Sequence, residues 1–554
     1  MRSVWNDFDS GTRTLLLALV LALYMGACFT LSALACSLWM GLDLSANPFD
    51  VVVGLVRGEI PSYVGTTALV FGIGFLVLAL VGFIVFPGKS SRARGDDAAR
   101  LATRSKRDIA PLMRSAVAAK AKRLGIEGSA IGLPVGKTVA YGVPVYSSFE
   151  DVTVNISGPR TGKTTCWVVP RILAAPGAVL ATSNKRDIVD ATLEARSAFG
   201  QVWVFDPQNL ASTEQTWFWN PLTYVTDGVR AASLAGVFAS ASIGDVRGDK
   251  FFVEKAKTAV TCYLLAAAKS GRTLDDVYAW LSDSSSDEAV YLLRDAGEPI
   301  YAQSLRDLID TTHVTKSGIY ASATQMVSFV LNAPAMEWTR PGAGRREFDP
   351  ALFVSTTQTL YCLSQEGPSS PTPLVTALTV AVIEAAQEHA KNQPAGRLAL
   401  PMLVELDEAA NVCRWDQLPD LYSHFGSRGI CVDTILQSFP QGVQAWGEAG
   451  MKKMWNASNV NVYGGGSKDD DFLQDLSSLI GTHYSDSVQT STSSSGTSTS
   501  RSKDGMSRPI ATVSDLHSMP AGRAWVFASG ARPVLIRLIP FWEANKKHSF
   551  SGKD

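Results

Sequence analysis

Residues 157–165 read S-G-P-R-T-G-K-T-T, and what flanks them decides the fold. On the N-terminal side Val152, Val154 and Ile156 alternate with Thr153 and Asn155, the period-two pattern of a strand. On the C-terminal side Thr164–Leu173 reads as a helix, bent or broken near Pro170. A strand, a Gly-rich turn, Lys-Thr and a helix make a phosphate-binding loop. Its backbone, Ser157-Gly158-Pro159-Arg160-Thr161-Gly162, wraps the phosphates. Lys163 reaches the β and γ groups, Thr164 offers its hydroxyl to Mg²⁺, and Thr165 completes the set. Ser157 stands where the standard pattern has Gly, which a negative φ permits. The motif predicts a bound nucleoside triphosphate with Mg²⁺.

More than two hundred residues later, Met402–Leu406 reads as a mostly apolar strand ending in Asp407-Glu408. Beside a P-loop, such a pair has a chemical role. Asp407 supports the Mg²⁺ shell, and Glu408 polarises the attacking water. Gln437 ends the next strand, Cys431–Leu436, where a polar side chain can sense the γ-phosphate or simply satisfy the strand end. Arg428 precedes that strand and is either an arginine finger for a neighbouring subunit or a solvated loop residue.

The chain has 554 residues, enough for two or three domains, and a net charge of -1 with pI near 6.6. That balance excludes a nucleic-acid coat, so any contact with nucleic acid is local. Seven scattered cysteines without a C-x-x-C indicate a reducing compartment. The six histidines show no metal-ligand spacing.

Leu15–Leu38 and Tyr63–Phe86 are apolar runs without Asp, Glu, Lys or Arg, each long enough to span a bilayer. A signal peptide fails for the first on length and on the lack of a cleavage site. Eleven Lys/Arg against three acids, net +8, follow between residues 89 and 123, whereas Asp43–Ser62 between the runs holds a single basic residue, Arg57. The asymmetry predicts a two-helix transmembrane hairpin with the bulk of the chain in the cytoplasm. The basic stretch serves topology and anionic lipid headgroups more plausibly than DNA.

The expected organisation is a membrane anchor over 1–88 and a basic juxtamembrane segment over 89–131. An α/β nucleotide-binding domain follows over 132–226 and 346–545, with an all-α domain over 227–345. Strand-like stretches alternate with helical ones at Ala178–Thr182, Gln201–Phe205, Thr359–Leu363 and Pro373–His389, the pattern of a parallel sheet. Between them Phe251–Lys269 and its neighbours show only helical spacing. Residues 485–505 are dominated by Ser and Thr and read as a disordered excursion.

These pieces carry a resemblance. G-P-R-T-G-K-T-T with V-V-P-R-I-L, then S-N-K-R-D, V-F-D-P, F-W-N-P-L, F-F-x-x-x-A, E-L-D-E-A-A-N and S-R-G-I…L-Q-S follow in the order found in type IV coupling proteins. Those are membrane-anchored conjugative DNA-transfer ATPases. The resemblance runs from Leu15 to about Trp542 and departs at Ser157, in the Ser/Thr stretch and in the lack of an acidic C-terminal tail. It implies a RecA-like P-loop domain with an inserted all-α domain, a homo-hexamer, and ATP-driven transfer. It implies as partners single-stranded DNA with its relaxase and the components of a type IV secretion channel. Two other readings fit the same motifs: a motor for protein cargo alone, and a nucleotide-binding membrane receptor that hydrolyses little. The intact Lys163–Asp407–Glu408 set argues against the receptor. A septal chromosome translocase is disfavoured because no C-terminal winged helix follows.

Overall fold

The strand that leads into Ser157 lies inside an eleven-stranded sheet. The computed structural model describes residues 96–546 except 127, 129, 243–249, 368–369 and 494–495, together with Val53 and Arg57. The chain divides into two compact units, Met1–Arg92 and Ala93–Asp554. Both apolar runs, Leu15–Leu38 and Tyr63–Phe86, fall outside the described residues, within which no helix is long and apolar enough to cross a membrane.

The strands are β1 (Leu133–Thr138), β2 (Pro144–Ser147), β3 (Thr153–Ile156), β4 (Val179–Ser183), β5 (Val202–Phe205), β6 (Trp217–Phe218) and β7 (Arg346–Glu347). After them come β8 (Thr359–Leu363), β9 (Met402–Leu406), β10 (Ile430–Leu436), β11 (Val460–Tyr463), β12 (Thr482–Ser493), β13 (Gly496–Pro509), β14 (Arg523–Ala528) and β15 (Val534–Arg537). The sheet order is β2-β1-β15-β14-β11-β3-β10-β9-β4-β8-β5. From β11 to β5 every neighbour is parallel; from β14 outward every neighbour is antiparallel. Strands β3, β4, β8, β9 and β10 are buried along their whole length, as a parallel sheet covered on both faces requires. Successive side chains alternate between two cores: Leu180, Val404 and Leu406 face one, and Val179, Ala181 and Leu403 the other.

Among the described residues, helices replace strands from Gly228 to Glu337. The insertion is bounded by β6 and β7, which pair in parallel, apart from the main sheet, to form its neck. Trp203, Phe205, Trp217, Trp338 and Phe348 pack there edge-to-face or tilted, with ring centroids 5.2–5.8 Å apart. The longest inserted helix, Lys250–Ser270, is buried from Ala259 to Ala267, in a core continuous with one face of the sheet.

Two boundaries differ from the sequence reading. The folded body takes in residues from Asp96, not from near 132. Helices Asp96–Ala102 and Arg114–Arg123 and the 3₁₀ turn between them bury Ile109, Leu112, Val117 and Ala121, while Arg104, Lys106, Arg107 and Lys122 stay exposed. Arg532 N–H donates to Asp108 O at 2.9 Å and Thr103 Oγ1 to Pro533 O at 3.1 Å, fixing the stretch to the chain just before β15. The density of basic residues hid this apolar spacing. The second difference is the Ser/Thr excursion, which forms the ribbon β12–β13, paired from Thr482↔Pro509 to Ser493↔Gly496. Thr favours extended backbone, and a ribbon that pairs with itself satisfies its N–H and C=O groups without an apolar core.

The helix after the P-loop starts as a π-turn over Thr164–Val168 and continues as Val169–Ala174, and Pro170, which lacks an N–H, stands where the winding changes. The next residue, Arg171, is fully buried against β9 and β10. Its guanidinium forms ion pairs with Asp433 and, at 3.3 Å, with Glu405, and donates to Ser147 Oγ at 3.1 Å. Asp433 and Glu405 are register partners on adjacent strands, and Trp167 Nε1 donates to Asp433 Oδ2 at 3.2 Å. Burial, and then the Asp433 carboxylate beside it, hold the Glu405 carboxyl well above the usual range. The cluster is therefore one cation, one carboxylate and one retained proton.

Removing the cation leaves two buried acids unpaired, so Arg171→Ala should lower the unfolding free energy by about 3–5 kcal/mol in urea titration. Glu405 has the opposite pH sign to an ordinary paired acid. Its folded pKa is raised, so its stabilising contribution falls as pH climbs above the unfolded value of about 4.3. Glu405→Gln should therefore gain stability relative to wild type as pH rises from about 5 to about 8. A pH-independent difference would show that Glu405 does not retain its proton.

Candidate nucleotide site

Ser157 keeps a negative φ, so no Gly is needed at this position. Its N–H donates to Leu436 O at 2.9 Å, and its Oγ donates to Asn155 Oδ1 at 2.6 Å. The loop then turns sharply: Arg160 and Gly162 are left-handed, at φ 60° and 89°. Thr161 Oγ1 closes the turn onto Gly158 O at 2.8 Å. Lys163 caps the π-turn in right-handed conformation, with Thr164 and Thr165 as its first residues. The loop leans on Gly464-Gly465-Gly466, which follows β11. Gly158 N–H donates to Gly465 O at 2.8 Å, and a Cβ on Gly158 would lie 2.9 Å from Gly466 Cα. That backbone-on-backbone contact admits no side chain. A cavity of about 470 Å³ opens beside it, lined by Pro159, Gln437, Ser438, Ser467 and Lys468 among others.

Parallel strands bring the acids to the same edge. β10 lies between β3 and β9, so the P-loop, Gln437 and Asp407-Glu408 leave the C-terminal ends of three consecutive strands. Asp407 is 5% exposed, and burial lifts its carboxyl to about 7 against the pull of Lys163. Burial also lowers the Lys163 ammonium, which Asp407 and Glu408 draw back up. Asp407 Oδ1 has no hydrogen-bond partner, an unusual state for a buried carboxylate oxygen. An acceptor so placed fits a cation ligand. The left-handed, cation-lined loop fits phosphate. The residues present thus suit a nucleoside triphosphate with a divalent ion.

Glu408 is left-handed at φ 54°, ψ 44°, a strained state for a side chain with a Cβ, costing about 1–3 kcal/mol. It turns the chain from β9 into the helix Ala409–Val412. Gln437 Nε2 donates to Glu408 Oε1 at 3.0 Å. Gln437 in turn is fixed by its own N–H, which donates to Gln441 Oε1 at 2.8 Å.

The structure thus gathers Ser157–Thr165, Asp407, Glu408 and Gln437. It leaves Arg428 apart, at the N-terminal end of β10, where its carbonyl accepts from Leu398 N–H at 2.9 Å. The seven residues of β10 separate Arg428 from the P-loop of its own chain. The glycine run 464–466 was the missed component; three consecutive glycines directly after a strand were its signal.

Residues 401–521 match a family model described as the TraM recognition site of TraD and TraG. The fold is similar to solved structures of the conjugative coupling protein TrwB. Its complex with ADP and Mg²⁺ aligns at TM-score 0.55 and 15% identity, over 76% of this chain and 92% of that one. Its complex with the non-hydrolysable ATP analogue ADPNP gives the same values. The unbound monoclinic form of TrwB lacking its N-terminal 70 residues aligns at 0.54 and 16%, over 76% and 91%. No curated protein matches the chain in sequence. The resemblance to type IV secretion coupling proteins, carried in the sequence by short motifs, therefore holds both in residues 401–521 and in the fold of the body.

Proposed function

We propose that this chain is a membrane-anchored ATPase that couples hydrolysis to transfer of a DNA–protein substrate into a type IV secretion channel during conjugation. The observation that carries the reading is the convergence of Lys163, Asp407, Glu408 and Gln437 on one edge of a parallel sheet. Support comes from the nucleotide complexes of the similar TrwB structures and from the matched coupling-protein region.

ATP with Mg²⁺ would supply the phosphoanhydride and the divalent charge that neutralises it. Lys163 and the N–H groups of 157–165 bind the phosphates. Thr164 and Asp407 hold the cation. Glu408 orients the water and receives its proton, and Gln437 steadies the Glu408 carboxylate. Arg428, away from its own P-loop, serves a neighbour's nucleotide in a homo-hexamer. Single-stranded DNA with its relaxase is the cargo, channel components receive it, and the basic residues between 89 and 123 face anionic lipid of the cytoplasmic membrane.

The test is ATP turnover by the detergent-solubilised chain with and without single-stranded DNA. Wild type should hydrolyse ATP faster with DNA; an unchanged rate would point to protein cargo. Glu408→Gln should bind nucleotide and turn over at least about a hundredfold more slowly, and Lys163→Ala should lose nucleotide affinity. Wild-type turnover by Glu408→Gln would sink the assignment.

Arg428→Ala should keep nucleotide binding and lose turnover, about a thousandfold for a finger. Mixing it with Lys163→Ala subunits should restore part of the rate; no recovery would remove Arg428 from the site.

Topology gives a further check. A reporter inserted in Asp43–Ser62 should mark the outer face and one after Arg123 the cytoplasm; the reverse would displace the motor from the cytoplasm.

A further inference from the structure

Strand β9, which delivers Glu408, has β10 on one side and β4 on the other. Leu406 pairs in register with Thr434 of β10 and with Thr182 of β4. Glu408 is two residues beyond Leu406, Asn184 two beyond Thr182, and Gln437 three beyond Thr434. The three side chains therefore stand at one height. Gln437 Nε2 donates to Glu408 Oε1 at 3.0 Å, and Asn184 Nδ2 donates to Glu408 Oε2. Each flanking strand ends in an amide that takes one oxygen of the same carboxylate.

We infer that Asn184 is a positioning residue for Glu408, one half of a two-sided amide clamp whose other half is Gln437. This rests on the proposed ATPase reading. The need for a clamp follows from Glu408 itself. Its side chain has three rotatable bonds, starts from a left-handed backbone and is 8% exposed, so water does little to orient it. Two donors on separate strands fix both the position and the plane of the carboxylate. Each oxygen keeps a second lone pair for a water molecule. An amide suits the task because it carries no charge and has no proton to give up near neutral pH. A lysine or arginine there would form an ion pair and make Glu408 a weaker base. The amide's orientation is dictated by charge, since its oxygen would be repelled by Oε2.

Asn184 is itself braced. Its carbonyl accepts from Gln365 Nε2 at 3.3 Å, and the preceding Ser183 carbonyl accepts from Ser364 N–H at 3.0 Å. Both donors lie just past β8, the next strand outward. The Glu408 carboxylate is thus referenced to β10 directly, and to β4 and β8 through Asn184. The turn continues as Lys185-Arg186, exposed on the surface.

The test uses the full chain in detergent, with steady-state ATPase and binding of a fluorescent non-hydrolysable ATP analogue. Asn184→Ala, and the similarly sized Asn184→Leu, which cannot donate, should each lower kcat about tenfold or more. Analogue affinity and KM for ATP should stay within about twofold of wild type. The decisive readout is a cycle in single turnover. Adding Asn184→Ala to Glu408→Gln should cost nothing further, whereas a merely structural asparagine would cost the same in both backgrounds. An unchanged kcat, a raised basal rate or an equal loss in the Glu408→Gln background would each overturn the inference. If the wild-type chain turns over no faster than Glu408→Gln, the ATPase reading fails instead, and the two failures are told apart by that comparison.

Discussion

The fully buried guanidinium of Arg171 is the constraint around which this sheet is arranged. It projects from the helix that follows the P-loop and meets Asp433 of β10 and Glu405 of β9. Glu405 lies two residues before Asp407, and Asp433 four before Gln437. The helix that carries the phosphate loop is thus fastened to the two strands that carry the acids and the amide. Such clusters contribute little to stability compared with an apolar core of equal volume, because desolvation offsets most of the Coulomb attraction. Their effect is on geometry. A hydrophobic contact between helix and strand tolerates a slide of an ångström or more, whereas a guanidinium between two carboxyls does not. The proton kept on Glu405 makes the arrangement possible, since two ionised acids and one cation would leave a net buried charge.

The helical insertion shows the same economy by apolar means. It enters and leaves through the β6–β7 pair, so its two ends are adjacent. Trp203 and Phe205 of β5 extend the aromatic neck into the sheet's outer parallel edge. The insertion and one face of the sheet share one core, and Ser240 Oγ of the insertion donates at 2.8 Å to Arg414 O, just past the helix that follows Glu408.

What was legible in the sequence was local. Val152–Ile156 alternates, Gly162-Lys163-Thr164 is contiguous, and Met402–Glu408 places two acids at the end of an apolar run. Each signal fits inside ten residues, and each points to the same strand ends. What was hidden depends on partners far apart in the chain. Asn184 meets Glu408 across 224 residues, and the S-N-K-R-D motif that contains it says nothing of that partner. Arg171 follows a proline in an apolar helix, and Glu405 interrupts an apolar strand. Each looks like an isolated blemish until register sets Glu405 beside Asp433. Compositional readings misled where charge or polarity outweighed spacing. The lysines and arginines of 104–123 concealed the apolar positions at 109, 112, 117 and 121, and the serines and threonines of 485–505 concealed a ribbon that satisfies its own backbone.

The site itself shows two complementary demands. The loop 157–165, with left-handed Arg160 and Gly162 and with Lys163, gathers positive potential that calls for an anion. A few residues away in space, Asp407 is buried to the point where its carboxyl titrates near 7, with one oxygen unpartnered, and calls for a cation. A lone phosphate would meet the first demand while aggravating the second, and a lone metal ion would do the reverse. A polyphosphate carrying its own divalent ion meets both at once, so neither partner alone is as well matched as the pair. The strained backbone of Glu408 belongs to the same logic. A relaxed strand would carry its side chain away from this edge, and the left-handed turn, held by the packed Ala409 and Ala410 that follow, keeps it there.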